Sequence, residues 1–564
     1  MEKLNIYLFQ LTESYKRNKY FFPYSVAIIQ SYCQTIPFID DNCDFKDLIF
    51  KIDRNLEGQI NFDEFIELNI KNPSVIGFSN YLWNNNRHLK LMEKIKNKFP
   101  DVVSVVGGPS FPNLNFDETI EFFNENPYLD IGVSGEGEKV FADILTKCIK
   151  KEPFDDVSGI FFRKNNEIIK NTASPRISNL DEIPSPYLNG IYDNLKYKHE
   201  KTEFYAIMET DRGCPFKCTF CDWGSLTQQK MKTFDIQRVY DELNFISDNK
   251  IEILHFTNSN LGIFKERDYN IINYLCNLHE QTGFPKEINE AGYSKTPVTK
   301  NSNVEIKRRL KKTLGELYHT PRISLQTMNQ EILKNVKRKD FYVEDLDELL
   351  YENYLSEIEY VFPMPGHSYE IFIDDLTQLL KYKNIFTHVF PCIMLPNAPM
   401  NAISYREKFG LRTKMIDYQK IADSKKGEES VKLIISTKDL TFEECKKSWM
   451  FLWIINTFYK LNDIRHHFNQ KENDILTFDI SKKVDSMLNE ISYKDFFVKL
   501  QNYFEEEMTF TSLYYDKIKS QLYVSNYKFF LDHINNPQHS IDEFLLNNEK
   551  IIREDFDNFF KYNF

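Results

Sequence analysis

The stretch Glu209-Thr-Asp-Arg-Gly-Cys214-Pro-Phe-Lys-Cys218-Thr-Phe-Cys221-Asp-Trp-Gly224 decides how the rest of the chain is read. It places three cysteines within eight residues at C-x3-C-x2-C spacing, after an apolar strand (FYAIMET) and a turn at Asp211-Arg212-Gly213. Three thiolates on one short loop can ligate three irons of a [4Fe-4S] cube and leave the fourth iron without a protein ligand. At an open iron a small molecule can chelate the metal and receive an electron by direct contact. Structural zinc is the alternative, and it asks for four ligands in two spaced pairs. His255 and Cys276 are the nearest further candidates, and neither has that spacing. The remaining six cysteines are scattered singly, and nine in all is not a disulfide framework.

Upstream of this loop, the first 150 residues alternate in a βα rhythm. Apolar strands are predicted at residues 4–10, 74–79, 102–106 and 130–133, with a further strand near 34–38, and helices at 22–34, 87–98 and 139–150. Short apolar strands alternating with helices predict a parallel sheet covered on both faces. Ligands of such sheets sit beyond the carboxyl ends of the strands. Those ends carry Ser79 and Tyr81, then Gly107, Gly108, Pro109 and Ser110, then Ser134, Gly135, Glu136 and Gly137. Residues 157–197 hold a short hairpin (GIFFRKNNEIIKN) and a Pro-punctuated stretch, which together read as a linker. Downstream of the cysteines the rhythm continues to about residue 400, with strands expected at 205–209, 253–257, 322–326, 358–362 and 387–390. Residues 420–564 read as mostly helical and aromatic, without Gly-rich loops or metal-type spacing.

Composition bounds the rest. A chain of 564 residues is too long for one core, and at roughly 100–200 residues per domain it predicts about three. Hydrophobic residues at 42% and charged residues at 27% are globular values, which exclude wholesale disorder. A net charge of -12 argues against a nucleic-acid binder acting through a broad basic face. The most apolar stretch, WMFLWIINTFY at 449–459, is flanked by lysines and is too short to span a bilayer. No signal peptide is visible, so the reading is a cytoplasmic protein with neither membrane nor nucleic acid as partner.

The cysteine spacing, Phe220 before the last cysteine and the strand ahead of the loop resemble the radical SAM enzymes. Within them, residues 209–224 look like the branch that carries an N-terminal cobalamin-binding domain. The resemblance spans roughly residues 1–410. Val106-Gly107-Gly108-Pro109 and Val133-Ser134-Gly135-Glu136-Gly137-Glu138 match the strand-end loops of that domain. Leu325-Gln326-Thr327-Met328 and Val361-Phe362-Pro363-Met364-Pro365-Gly366 match later strands of the radical SAM barrel. The implied architecture is α/β. A Rossmann-like (flavodoxin-like) parallel-sheet domain at 1–155 and a linker at 156–200 precede a radical SAM partial (β/α)6 TIM barrel at 201–415 and a mainly helical region at 416–564. That last region is expected to be least like the relatives and to shape substrate access.

The resemblance also implies roles. Cys214, Cys218 and Cys221 would hold the cluster, and S-adenosyl-L-methionine (SAM) would chelate the open iron. Phe220 would lie against the adenine, Asn258 and Asn260 near the methionine part, and Gln326 with the turn from Pro363 to Gly366 along the rest of that cofactor. Reductive cleavage of SAM would give a 5′-deoxyadenosyl radical, and methylcobalamin would give a methyl group to a substrate carbon. The activity implied is a C-methyltransferase on a natural-product or peptide substrate, fed by an electron donor such as flavodoxin or ferredoxin. Cobalamin-assisted rearrangement or cyclisation is the alternative, and a noncatalytic cobalamin or redox sensor a further one. One departure is informative: the D-x-H-x-x-G signature of a lower-axial histidine is absent, and His88 is the only histidine in the first 150 residues. Cobalamin is therefore expected base-off with no histidine ligand. His367 and His388 read as surface or strand-end residues rather than ligands. Residues 53–64 fit a calcium-loop pattern, but Glu57 at its fifth position and the lack of a paired loop argue against that use.

Overall fold

The computed structural model describes residues 2–12, 14–16, 19–53, 59–222, 229–289, 300–315, 322–338, 356–379, 385–417 and 429–445, with Ser448 and Leu452. The chain divides into two compact units, residues 1–319 with 395–402, and residues 320–394 with 403–564.

The first unit opens with β1 (Leu4–Phe9), β2 (Ser14–Lys16), β3 (Lys19–Phe21), α1 (Tyr24–Cys33), α2 (Pro37–Asn42) and β4 (Cys43–Phe45). It continues through α3 (Phe62–Asn69), β5 (Val75–Ser79), α4 (Asn85–Lys98), β6 (Val103–Gly107), α5 (Phe116–Glu125), β7 (Ile131–Val133) and α6 (Gly137–Lys150). The hairpin β8 (Ile160–Lys164) and β9 (Glu167–Lys170) follows. The first sheet has the order β4-β1-β5-β6-β7-β8-β9 and is parallel from β4 to β7. Side chains of β1 alternate between its faces: Ile6 and Leu8 join the core that holds α1 and α6, while Tyr7 and Phe9 join the core under α3 and α4. All five residues of β5 are buried, as expected of a strand covered on both sides.

Two expectations change here. Residues 34–38 form no strand: Pro37 sits in the first turn of α2, where its missing N–H costs nothing, and the strand is β4 instead. The hairpin expected in a linker pairs antiparallel with β7 and extends the first sheet by two strands. The interior face of β7 and β8 has the apolar side chains to cover that edge.

The second sheet of this unit follows α7 (Ile191–Lys198) and is built from β10 (Glu203–Met208), β13 (Ile253–Phe256) and β14 (Glu287–Asn289). Between β10 and β13 lie the antiparallel ribbon β11 (Asp211–Cys214) and β12 (Gln229–Thr233), then α8 (Ile236–Asp248). Helices α9 (Lys265–Thr282) and α10 (Lys300–Leu314) flank β14. The strand order is β14-β13-β10-β3-β2, with β3 parallel to β10. A segment from the first 21 residues thus completes the sheet that leads into the cysteine loop. Phe22, next to β3, stacks on Phe204 at 4.7 Å and on Tyr192 at 4.1 Å. One continuous core runs from Ile6 to Leu314 across both sheets.

The second unit has β15 (Arg322–Gln326), α11 (Gln330–Asn335), β16 (Ser356–Phe362), α12 (Tyr369–Leu379) and β17 (Ile385–Pro391), with the three strands parallel in that order. Helix α13 (Ile403–Phe409) leads to an antiparallel pair, β18 (Arg412–Asp417) and β19 (Ser430–Ser436). No ladder joins β14 to β15 among the described residues, so the six strands expected of a partial barrel stand as two parallel sheets. The region expected to be mainly helical thus begins with the end of β18 and with β19, and most of it lies outside the described residues. Among the described residues no helix is long and apolar enough to cross a membrane.

Candidate active site

The cysteine loop is placed by its anchors. β11 delivers Cys214 through Gly213, whose φ of +108° lies in the region that favours glycine. Ser259 Oγ donates to the Gly213 carbonyl at 2.6 Å, tying the loop to the end of β13. Cys214 and Cys218 are buried, Cys221 is half-buried, and none forms a disulfide. The Cys221 N–H donates to the Cys218 carbonyl at 3.4 Å, and Asn260 Nδ2 donates to Cys214 Sγ at 3.3 Å. Among the described residues no three Cys, His, Asp or Glu side chains converge on one ion. The thiolates of a cube bind different irons and need no common point, so three thiols on one loop, none of them in a disulfide, fit that group. An N–H donated to a ligating sulfur draws charge from it and favours the reduced cluster. Asn260→Leu is therefore expected to lower the cluster's potential by about 59 mV, one tenfold step for one electron, in an EPR-monitored redox titration. An unchanged potential would remove Asn260 from this role.

Asn258 is wholly buried, and its Nδ2 donates to Thr210 Oγ1 at 2.6 Å and to the Asp211 carboxylate. Its Oδ1 has no partner among the described residues. Burial, with Asp268 nearby, pushes the Asp211 carboxyl up to about 7, although the Asn258 bond and Arg267 oppose this. Of the two asparagines, Asn258 keeps an open acceptor, while the Asn260 amide is spent on Cys214 and Ser259. Phe220 is half-buried on the same loop. Trp223 and Gly224 lie outside the described residues.

The carboxyl ends of β5, β6 and β7 bring the three expected loops to one edge of the first sheet. The Asn80 N–H donates to the Gly107 carbonyl at 2.8 Å, and the Ser110 N–H donates to the Asn80 carbonyl at 3.1 Å. Gly108 has φ +93°, and a Cβ there would lie 2.6 Å from the Asn80 carbonyl oxygen. Gly135 has φ +86° with nothing within 4 Å of the space a Cβ would take. Ser110 Oγ is buried without a partner among the described residues. Small residues, open space and an unspent hydroxyl at strand ends fit a large flat cofactor. Phe111, next in the chain, is seated where Gly132 leaves room: a Cβ on Gly132 would lie 2.0 Å from its ring. Ser79 is buried; Tyr81 bonds Ser25 and stacks on Trp83 at 4.6 Å. Ser134 receives its place from its N–H to the Gly159 carbonyl at 2.9 Å, and Pro109 and Gly137 are half-buried.

His88 does not stand open at this edge. It is wholly buried, its Nε2 accepts from the Leu11 N–H at 3.0 Å, and its Nδ1 meets Asn80 Oδ1 at 2.8 Å. The acceptor role of Nε2 places the proton on Nδ1, and burial holds the ring's pKa well below the usual histidine range. The neutral ring ties β1, α4 and the Asn80 turn together.

Arg212 was invisible as a site residue in the sequence. It is buried, and its guanidinium meets Glu138 at 2.7 Å, Glu209 at 2.9 Å and Glu136 at 3.5 Å. Glu136 comes from the loop after β7 and Glu138 from the first turn of α6, and Arg212 stands two residues before Cys214. The Glu136 side chain, expected beside a cofactor, also faces Arg176 at 3.6 Å and accepts from the Ile177 N–H at 2.9 Å. Burial pushes the Glu209 carboxyl up, against the pull of Arg212.

In the second unit Gln326 ends β15 with φ +71°, buried, its Oε1 without a partner among the described residues. Beneath it, Thr327 Oγ1 and the Met328 N–H donate to Asp375 at 2.7 and 3.0 Å. Tyr360 also donates to Asp375, at 2.7 Å, and receives His367 Nε2–H at 2.9 Å; His367 Nδ1 in turn accepts from the Met364 N–H at 2.8 Å. His367 is thus no surface residue: burial lowers its pKa to about 3, and it pins the Pro363–Gly366 turn to the strand end that carries Gln326. Pro363 is buried in that turn. Gly366 has φ +103°, and a Cβ there would lie 2.8 Å from Asn335 Nδ2. His388 is likewise buried within β17, stacked on Phe390 at 4.1 Å.

No protein-family model matches the chain. It is similar to the 2-(S-pantetheinyl)-carbapenam-3-carboxylate methyltransferase of Streptantibioticus cattleyicolor, 27% identical over 92% of this chain and 72% of that protein. It is 30% identical to the cobalamin-dependent radical SAM methyltransferase TokK of Streptomyces tokunonensis, over 70% of this chain and 57% of that one. The first match necessarily reaches into 416–564, the region expected to diverge most. An anaerobic magnesium-protoporphyrin IX monomethyl ester cyclase of Cereibacter sphaeroides is matched over 26% of this chain. Among solved structures, the cobalamin-dependent SAM radical enzyme OxsB aligns over 99% of this chain and 81% of its own, with TM-score 0.57 and 16% identity. The methyltransferase TsrM of Kitasatospora setae aligns over 73% of this chain and 79% of its own, with TM-score 0.55 and 16% identity. These likenesses show the fold, which is the mixed α/β arrangement of parallel sheets described above. The cysteine loop, the small strand-end residues ahead of it and the long matches all agree, and the chain belongs to the cobalamin-dependent radical SAM enzymes.

Proposed function

We propose that this enzyme moves a methyl group from SAM, by way of cobalamin, to a carbon atom of a small-molecule natural-product intermediate. The observation that carries this reading is the length over which two methyltransferases match, against the short match to a cyclase. The name of the first relative points to a small molecule bearing a pantetheine arm, and a substrate of that size class is favoured here over a peptide.

When bound, the cluster supplies the electron that cleaves SAM, and cobalamin supplies the methyl group that is transferred. The chain's own part is to bind, orient and exclude. Cys214, Cys218 and Cys221 would hold the cluster, with Asn260 donating to the first of them. The Oδ1 of Asn258, without a partner among the described residues, is a buried acceptor suited to an N–H donor of SAM. Ser110 Oγ and the open space over Gly135 would receive cobalamin. His88 has both ring nitrogens engaged, which supports a base-off cobalamin without a histidine ligand. Residues 1–155 would carry cobalamin, 201–415 the cluster and SAM, and 416–564 would shape access for the substrate. The donor would be a reduced flavodoxin or ferredoxin in the cytoplasm.

The test is anaerobic reconstitution with iron, sulfide and hydroxocobalamin, then reduction with SAM and candidate pantetheinylated small molecules, read by mass spectrometry. 5′-Deoxyadenosine together with S-adenosylhomocysteine and a singly methylated product is expected. 5′-Deoxyadenosine with an isomerised product and no S-adenosylhomocysteine would overturn methyl transfer, and a chain that takes up neither cluster nor cobalamin would overturn the reading entirely.

A further inference from the structure

The chain leaves the second unit at Met394, passes through the first as residues 395–402, and returns at Ile403. These eight residues (LPNAPMNA) have no sequence signal of their own, yet they touch both loops of the proposed site. Asn397 spends its whole amide on the loop after β6. Its Oδ1 accepts from the N–H groups of Asn113 and Leu114 at 2.8 and 3.2 Å, and its Nδ2 donates to the carbonyls of Pro109 and Phe111 at 3.1 and 2.9 Å. Asn401 Nδ2 donates to Glu118 at 2.8 Å, and Asn115 Nδ2 donates back to the Asn401 carbonyl at 3.2 Å. Between these two asparagines, the Met400 N–H donates to the Thr219 carbonyl at 2.7 Å, inside the cysteine loop between Cys218 and Cys221. Ala398, Met400 and Asn401 are all buried.

One short segment therefore bonds the loop that carries Pro109 and Ser110 at one side and the cysteine loop at the other. Loops are ordinarily the loosest parts of a parallel-sheet protein, and a reaction between two cofactors depends on their separation. Four bonds from a single amide to one loop, each to a backbone group, fix that loop's conformation rather than its composition. We propose that Leu395–Ala402 is a strap that sets the cobalamin-side loop against the cluster-side loop, with Asn397 as its positioning residue. This rests on the reading of the site given above.

The experiment measures hydroxocobalamin binding by equilibrium dialysis on the full chain, alongside iron content, cluster absorbance and the unfolding midpoint, for wild type, Asn397→Leu and Asn397→Asp. Asn397→Leu loses all four bonds; Asn397→Asp keeps the two accepted ones and loses the two donated. Cobalamin affinity is expected to fall on the order of tenfold for Asn397→Leu and less for Asn397→Asp, with cluster content unchanged in both. The ratio of S-adenosylhomocysteine to 5′-deoxyadenosine is expected to fall in the same order. Wild-type affinity and ratio in both variants would overturn the strap, as would parallel loss of cluster, cobalamin and thermal stability in both, which would mark a purely structural residue. Should Asn397→Leu fail to fold, Asn397→Asp alone decides between these outcomes. A wild-type chain that binds no cobalamin would instead overturn the reading of the site.

Discussion

A chain carrying Cys218→Ala is expected to keep its fold and its cobalamin while SAM cleavage drops to background. Cys218 lies on the loop after β11, outside the continuous core that runs from Ile6 to Leu314. Removing its sulfur costs the apo protein little packing, so the unfolding midpoint without cofactors should move by no more than a few degrees, the effect of about 1 kcal/mol or less. The strand ends at Gly108, Ser110 and Gly135 are built from other residues and should still take up hydroxocobalamin. A cube short of one thiolate leaves two irons without protein ligands, and the cluster should be lost on gel filtration. Iron content, cobalamin content and 5′-deoxyadenosine formation separate these effects. Wild-type SAM cleavage by Cys218→Ala would remove this loop from the chemistry.

The second large effect is expected on stability, at Arg212. Its guanidinium is the shared partner of Glu136, Glu138 and Glu209, and it is itself buried. Removing one side of a buried ion cluster leaves charge without compensation, at a cost of about 3–5 kcal/mol. Arg212→Met should therefore lower the denaturation midpoint of the apo chain sharply. Arg212→Lys should recover only part, because an ammonium cannot reach three carboxylates from the three guanidinium nitrogens. The decisive comparison is Arg212→Met with Glu138→Gln added: the double variant should be more stable than Arg212→Met alone. An equal or lower midpoint in the double variant would show that the carboxylates are satisfied without Arg212. Because Arg212 stands two residues before Cys214, iron uptake should follow the same order.

The chemistry of this site was readable one segment at a time. Cys214, Cys218 and Cys221 are marked by their spacing along eight residues, which can be read without the fold. Gly108 and Gly135 likewise stand at strand ends because the turn itself needs a positive φ, which is a local demand. The apolar strands of the first sheet were legible because full burial on both faces removes charge from them. Local reading fails at residues 34–38, where the β-prone pair Thr35-Ile36 before Pro37 suggests a strand although proline favours a helix start there. It also fails at His367, since nothing beside it in sequence shows that Tyr360 and Asp375 close around it.

The sequence by itself therefore determined the family, the three-cysteine spacing and the parallel α/β class. The tertiary structure alone decided what holds these pieces in register: β3 in the second sheet, His88 between Leu11 and Asn80, Arg212 among three carboxylates, and Asn397 across nearly 290 residues of chain. The physical reason is that a ligand set on one loop writes a pattern into neighbouring residues. A buried polar side chain needs only that some partner exist wherever the fold brings it, and a partner so distant leaves no mark in the local sequence.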